Sequence, residues 1–112
     1  YLNFPQKHKW GQYNKNRTFT FETCYSKNPS DIQQPTEAER NALLGMGCCL
    51  WTDHGLTEEW LDRRLYPRLF AMAEQMWSQG ERLPFSEFRA KAYAKRPILK
   101  EQGIDGDWDE QF

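Results

Sequence analysis

The segment GCCLWTDHG, residues 47–55, gathers side chains that could bind a metal, form a redox pair or carry out acid–base chemistry. A zinc site needs cysteines or histidines at ligand spacing such as Cys-x-x-Cys, whereas Cys48 and Cys49 are adjacent. Neighbours in an extended segment point to opposite faces, so the two thiols diverge, as do Asp53 and His54. The pattern therefore argues against a metal site and a catalytic dyad, and favours two small, buried, apolar cysteines.

The same segment has a second possible use, because its side chains alternate between two faces. Residues 46–53 are predicted to form a strand in which Trp51 and Asp53 share one face, while Cys48 and Leu50 lie on the other. Judged alone, Trp51 is most simply a core tryptophan. An aromatic platform for a ligand at the end of the strand is the alternative.

Upstream elements must position this segment. Residues 1–5 are predicted to form a short strand that stops at Pro5, and residues 6–34 a long loop. The loop is expected to hold short extended pieces, such as RTFTFE at 17–22. A loop of this length in a compact domain usually has a function or covers another element.

A helix is predicted next, because Thr36 and Glu39 have the spacing of a capping box. This helix should run to about Leu44 and end at Gly45.

Two further helical segments follow the strand. Thr57 is a good cap for a helix whose apolar residues recur at spacings of three and four, namely Leu61, Leu65, Leu69, Met72, Ala73 and Met76. Pro67 should split or kink it. Another helix is predicted over about 86–101, with a break at Pro97. Within these helices, Trp60 and Trp77 are interpreted as packing residues, and Arg68 and Glu74 as an ion pair or a solvated face.

The last eight residues, 105–112, form an acidic tail. Asp105, Asp107 and Asp109 have the spacing that opens a calcium loop, but the sixth position is Glu110 and no twelfth ligand follows. A solvated tail is the better interpretation.

The order strand, loop, helix, strand, helix, helix indicates parallel strand–helix units, but two units cannot cover both faces of a parallel sheet. The predicted fold is therefore α/β, with the strand–helix units at about 36–104. It corresponds to about the last two βα units plus the closing helix of a (β/α)8 TIM barrel, which needs about 250 residues. The chain opens on Tyr1 instead of Met, and we expect it to be a piece of a longer protein and a poor autonomous folder.

Composition excludes several classes of function. A net charge of −1 over 112 residues argues against a nucleic-acid binder, and the basic aromatic run KHKWGQYNKNR is better interpreted as a solvated loop. No run approaches the roughly 20 apolar residues of a membrane span. Three cysteines do not make a disulfide framework. Five tryptophans imply a sizeable core or a surface on which a ligand stacks.

Three stretches together resemble the C-terminal end of the catalytic barrel of glycoside hydrolase family 20, the exo-acting β-N-acetylhexosaminidases. They are YLNFPQ, LGMGCCLWTDHGLTEEWLDRRLYPRLFAMAEQMWS and FRAKAYAKRPILKEQGID. The resemblance covers residues 1–5 and about 36–104, and it identifies residues 1–112 as a C-terminal segment of such a catalytic domain.

The resemblance implies a role for four residues. Tyr1 matches the tyrosine whose hydroxyl bonds the N-acetyl oxygen of the sugar, and Trp51 matches the tryptophan on which the sugar stacks. Asn3 stands where the family usually has an aspartate that bonds the outer hydroxyls. Asp53 stands where the family usually has a glutamate near the 4- and 6-hydroxyls. These two departures bear on the choice between gluco and galacto sugars.

The resemblance also implies a retaining, substrate-assisted hydrolysis of terminal N-acetylglucosamine or N-acetylgalactosamine residues. Its catalytic Asp-Glu pair lies on an upstream strand outside these residues, so the chain alone is expected to be inactive. No cofactor and no metal are implied. The expected partners are N-acetylhexosamine-terminated glycans and the remainder of the barrel, and enzymes of the family are commonly secreted, periplasmic or lysosomal. A non-catalytic carbohydrate-binding or interaction module is the alternative.

Overall fold

The computed structural model describes residue 2 and residues 19–27, 36–52, 56–78 and 80–108. These residues form helices, and no strand occurs among them. The helices are α1 (Phe21–Ser26), α2 (Glu37–Ala42), α3 (Glu58–Leu65), α4 (Arg68–Trp77), α5 (Phe85–Tyr93) and α6 (Arg96–Glu101). Within the same residues, no helix is long and apolar enough to cross a membrane.

Helix α1 corrects the expectation of an extended piece at 17–22. The Thr20 hydroxyl accepts a hydrogen bond from the Thr23 amide and caps a helix that begins at Phe21. Phe21, Cys24 and Tyr25 recur at a spacing of three and four, and all three are buried. The helix forms here because the spacing of these residues buries three side chains on one face.

Helix α2 confirms the predicted capping box. The Glu39 amide donates to the Thr36 hydroxyl at 3.2 Å, and the Thr36 amide donates to the Glu39 carboxylate at 2.7 Å. The helix ends at Ala42, slightly before the predicted end, and no residue of it is buried.

The long helical segment after Thr57 is divided, as predicted, at Pro67. The Thr57 hydroxyl accepts a hydrogen bond from the Trp60 amide and caps α3, which runs from Glu58 to Leu65. The Tyr66–Pro67 peptide bond is cis, and α4 begins at Arg68.

The break predicted at Pro97 is confirmed, although it lies slightly earlier. Helix α5 ends at Tyr93, and Pro97 stands in the first turn of α6. A proline ring would clash with the carbonyl four residues before it, so the chain leaves the helix ahead of Pro97 and restarts around it. Helix α6 ends at Glu101, and Gly103 follows its C-cap with a φ of +78°, which suits glycine.

The core lies between α1, α4 and α5. Tyr25 stacks on Phe88 with ring centroids 4.3 Å apart, and the Tyr25 hydroxyl donates to the Leu83 carbonyl at 2.6 Å. The carbonyls of Cys24 and Tyr25 at the end of α1 accept from the Gln75 amide of α4, which supplies partners that a helix end lacks. The buried cluster comprises Phe21, Cys24, Tyr25, Ala71, Met72, Phe88 and Ala92.

Part of the predicted solvated tail is packed. Gly106 and Trp108 are buried, and the Asp107 amide donates to the Tyr66 carbonyl at 3.0 Å. The Trp108 ring meets the Tyr93 ring edge-on at 5.1 Å. The solvated interpretation is therefore wrong for residues 106–108, because an aromatic side chain gains more by covering the helices than by facing water.

Candidate functional site

The segment 46–52 alternates between two environments. Met46, Cys48 and Leu50 are half-buried, and Met46 and Cys48 pack against the core cluster. Gly47, Cys49 and Trp51, which alternate with them, are exposed, and Thr52 is exposed as well. The predicted alternation of faces is confirmed over residues 46–51. The predicted strand is not formed in the described residues, because a strand needs partners with which to build a ladder.

One hydrogen bond connects this segment to the start of the chain. The Leu2 amide donates to the Cys49 carbonyl at 2.7 Å, and Leu2 is 1% exposed. The two segments predicted to be neighbouring strands are therefore in main-chain contact at this point.

A buried arginine, Arg68, binds the carbonyl of the same residue, Leu2. The Arg68 guanidinium donates through Nη2 to the Leu2 carbonyl at 2.5 Å, and through Nη1 to the Phe19 carbonyl at 2.9 Å. Its Nε donates to the Arg64 carbonyl, in the last turn of α3, at 3.0 Å. Arg68 is 0% exposed, so the prediction of a solvated helix face is wrong for this residue. Its guanidinium donates to main-chain carbonyls, so the buried charge is hydrogen-bonded.

Burial also governs the electrostatics around Arg68. It lowers the pKa of the Arg68 guanidinium to about 10, so this group still carries its charge at neutral pH. Burial raises the pKa of the Cys24 thiol to about 11, and this thiol lies 3.7 Å from the Arg68 carbonyl. A neutral, buried thiol is a poor nucleophile, so Cys24 is a packing residue.

Of the four predicted site residues, only Trp51 falls within the described part of the chain. It is 58% exposed. It lies on the uncovered side of the segment with Gly47 and Cys49, and we call this side the open face. Tyr1, Asn3 and Asp53 lie outside the described residues, as does His54.

The packing role predicted for two other tryptophans is revised. Trp77 at the end of α4 is 85% exposed, so it does not pack within the described chain. Trp60 is also exposed, and the Arg63 guanidinium lies 5.4 Å from the centre of its ring. Their residue type predicted packing, but the sequence did not show which surface would cover them.

The cysteines are all free thiols. Cys24 is buried, Cys48 is half-buried and Cys49 is exposed, so the interpretation of a buried apolar pair is wrong for Cys49. Across the residues that the structure describes, no group of three or more His, Cys, Asp or Glu side chains could hold a metal ion.

Sequence reasoning missed Arg68 as a structural centre, although a signal was present. Arg68, Ala71, Met72 and Gln75 recur at helical spacing and together form the buried face of α4. A charged residue and an amide on an otherwise apolar stripe must find polar partners inside the fold.

Comparison with known proteins gives the family context of this geometry. The family model for the catalytic domain of glycosyl hydrolase family 20 matches residues 1–80. A beta-hexosaminidase of Akkermansia muciniphila is 32% identical over 109 residues, which cover 94% of this chain and 21% of that protein. A beta-hexosaminidase of Porphyromonas gingivalis is 34% identical over 67 residues, covering 60% of this chain and 8% of the relative.

A solved structure extends the likeness to three dimensions. The crystal structure of a beta-N-acetylhexosaminidase from Bacteroides fragilis matches with a TM-score of 0.76 and 42% identity. The match covers 95% of this chain and 21% of that protein. The chain thus spans about a tenth to a fifth of the length of these relatives.

Proposed function

Because this chain belongs to glycosyl hydrolase family 20, we propose that it supplies the sugar-binding end of the last two strand–helix units of a (β/α)8 catalytic barrel. In such barrels the active site is built at the carboxyl ends of the strands. The complete enzyme would hydrolyse terminal N-acetylglucosamine or N-acetylgalactosamine residues of glycans.

The proposal rests on the open face of residues 46–52, where Gly47, Cys49 and Trp51 are uncovered. On the other side of the segment, Met46 and Cys48 pack on the helical core, as the outward side of a barrel strand does. The bond from the Leu2 amide to the Cys49 carbonyl resembles one rung of a parallel ladder, with Leu2 opposite Leu50.

Side chains two residues apart in an extended chain lie on the same side, which adds further residues to the proposed site. With Leu2 and Leu50 facing the helices, we assign Tyr1, Asn3 and Asp53 to the same side as Trp51. One aromatic platform and three hydrogen-bonding side chains would then converge on one sugar.

The proposed chemistry is substrate-assisted. The acetamide oxygen of the substrate attacks the anomeric carbon, the glycosidic bond breaks, and the leaving oxygen takes a proton from a glutamic acid elsewhere in the barrel. Water, deprotonated by the same glutamate, then opens the oxazolinium intermediate with net retention. The Tyr1 hydroxyl would hold the acetamide in line for attack, which lowers the entropic part of the barrier.

The hydroxyl groups of the sugar would be bound by Asn3 and Asp53. The Asp53→Ala variant should lose more activity on substrates that keep the 4- and 6-hydroxyls than on analogues that lack them. Equal losses on both substrate types would remove Asp53 from hydroxyl recognition.

The function is tested with the full-length protein and aryl β-N-acetylglucosaminide and β-N-acetylgalactosaminide substrates. The wild type should release the aryl group, and Tyr1→Phe should lower kcat/KM by about 10- to 1000-fold, the scale of one transition-state hydrogen bond. The matched control is Tyr25→Phe, which removes a hydroxyl within the helical core and should leave the kinetics unchanged.

Two results would contradict the proposal. A Tyr1→Phe variant within twofold of the wild type would remove Tyr1 from the site. A wild type that binds N-acetylglucosamine without hydrolysing either substrate would favour a carbohydrate-binding module.

A further inference from the structure

Arg68 joins three parts of the chain that are distant in sequence. Its guanidinium donates to the carbonyls of Leu2, Phe19 and Arg64, which belong to the start of the chain, the residues before α1 and the last turn of α3. Arg68 and Leu2 are among the largest fully buried side chains in the described residues. The bond between Arg68 and Leu2 is therefore buried, while the bonds to Phe19 and Arg64 are part-buried.

Leu2 connects this junction at Arg68 to the segment that carries the open face. The carbonyl of Leu2 accepts from Arg68, while the amide of Leu2 donates to the Cys49 carbonyl at 2.7 Å. Cys49 is exposed on the same face as Trp51, two residues away. A chain of two hydrogen bonds thus runs from the Arg68 side chain to the segment that carries the proposed sugar platform.

The chemistry of arginine suits this arrangement. A guanidinium presents five N–H donors in a rigid planar fork, so one side chain can satisfy several carbonyls at fixed angles. A lysine ammonium is a point charge on a flexible stem and cannot fix the same carbonyls in one plane.

We propose that Arg68 is a positioning residue of the sugar site, because its guanidinium fixes the Leu2 main chain and thereby the register of Leu2 against the segment that carries Trp51. This inference rests on the proposed function. Tyr1 and Asn3 are the covalent neighbours of Leu2, so a displaced Leu2 would move both along with it. A displacement of about 1 Å in such groups can cost about 100-fold in rate.

The test compares Arg68→Met and Arg68→Lys with the wild type in the full-length protein. The matched control is Arg63→Met, which removes an arginine of α3 that binds the exposed Glu59 carboxylate at 2.8 Å. The kinetic measurements are kcat and KM for the aryl β-N-acetylglucosaminide and the inhibition constant of free N-acetylglucosamine. Hydrogen exchange of the Leu2 amide, relative to amides within α5, reports the junction itself.

For Arg68→Met we expect kcat/KM to fall by about 10- to 100-fold, with KM and the inhibition constant both raised. The Leu2 amide should exchange at least about tenfold faster while the α5 amides keep their rates. Arg68→Lys should shift the same quantities in the same direction but less far, and Arg63→Met should match the wild type. If Arg68→Met does not fold, Arg68→Lys decides the matter alone.

The contrary result is a variant whose KM and inhibition constant stay at wild-type values while its melting temperature and apparent kcat fall. Such a variant has lost folded protein only, and Arg68 is then a packing residue. Wild-type protein that neither hydrolyses the substrates nor binds N-acetylglucosamine would overturn the proposed function itself, which distinguishes that failure from the failure of the Arg68 proposal.

Discussion

The helical cluster of α1, α4 and α5 and the extended segment 43–52 use similar residues in opposite ways. In the cluster, Phe21, Tyr25 and Phe88 are buried and pack ring against ring. In the extended segment, Leu44 is fully exposed and Trp51 is 58% exposed. Aromatic and aliphatic side chains are thus buried where the chain supplies both surfaces of a contact, and uncovered where it supplies only one.

The difference separates residues that hold the fold from residues available to a ligand. Burial of a large apolar side chain contributes about 1.5–3 kcal/mol to folding, a gain that an exposed side chain does not make. Trp51 therefore contributes little to the described packing, whereas Tyr25 is part of the core. Substitutions in the two regions should accordingly affect different measurements.

The largest effect on stability is expected at Tyr25. Tyr25→Ala removes the ring that stacks on Phe88 and the hydroxyl that bonds the Leu83 carbonyl, so it should cost about 3–5 kcal/mol of unfolding free energy. Tyr25→Phe keeps the ring and should cost about 1–3 kcal/mol, the scale of a buried carbonyl left without its donor. Denaturant unfolding of the full-length protein measures both. Equal losses in the two variants would contradict the packing described for this ring.

A pH effect should come from Cys24 in the same cluster. Its folded-state pKa of about 11 lies above the ordinary value of 9.0, so the unfolded thiol ionises first as the pH rises. The contribution of the neutral Cys24 thiol to the free energy of unfolding is fully present below pH 9. It is lost between pH 9 and 11, at about 1.4 kcal/mol per pH unit and roughly 2–3 kcal/mol in all.

This effect is isolated by comparing the wild type with Cys24→Ala, because other groups that titrate above pH 9 are common to both proteins. The difference in unfolding free energy between the two should shrink across this interval. A constant difference from pH 8 to 11 would show that Cys24 titrates normally in the folded protein.

The packed end of the chain should tolerate change less well than its acidic composition suggests. A Cβ at Gly106 would lie 2.6 Å from the Tyr66 Cβ and 3.0 Å from the Tyr66 carbonyl oxygen, so Gly106→Ala should cost about 1–3 kcal/mol. The exposed neighbour Asp105 provides the control, since Asp105→Ala should stay within about 0.5 kcal/mol of the wild type. A Gly106→Ala protein as stable as Asp105→Ala would restore the interpretation of a solvated tail.

Local patterns made part of the fold predictable. The Thr36 capping box, the split at Pro67 and the alternation of residues 46–51 each depend on residues within a few positions of one another. Trp51 could likewise be assigned to its face from the two-residue period alone.

The features that sequence reasoning missed depend on contacts between distant residues. Helix α1 has six residues, too short to be stable by itself, and Gln75 of α4 binds the carbonyls at its end. Trp108 is buried against Phe70 and Tyr93, and Gly106 lies close against Tyr66. The role of Arg68 requires three separate segments to meet. Local patterns do not name the partners of such contacts, so the sequence predicted a loop for α1, a solvated tail for residues 105–112, and an ion pair or a solvated face for Arg68.

The smallest effect on stability, and the most informative one, is expected at Trp51. In the full-length protein, Trp51→Ala should change the melting temperature little, because the ring packs little against the described residues and the proposed site leaves it open to the sugar. The same substitution should raise KM and lower kcat for an aryl β-N-acetylglucosaminide, with a loss of about 1–3 kcal/mol by analogy with other aromatic stacking platforms.

Kinetics and melting of Trp51→Ala, measured on one preparation, therefore test the central claim that this face binds the sugar. We expect impaired kinetics with the fold retained. A Trp51→Ala protein that loses about 3–5 kcal/mol of stability, as a core tryptophan would, yet keeps wild-type KM and kcat would contradict it.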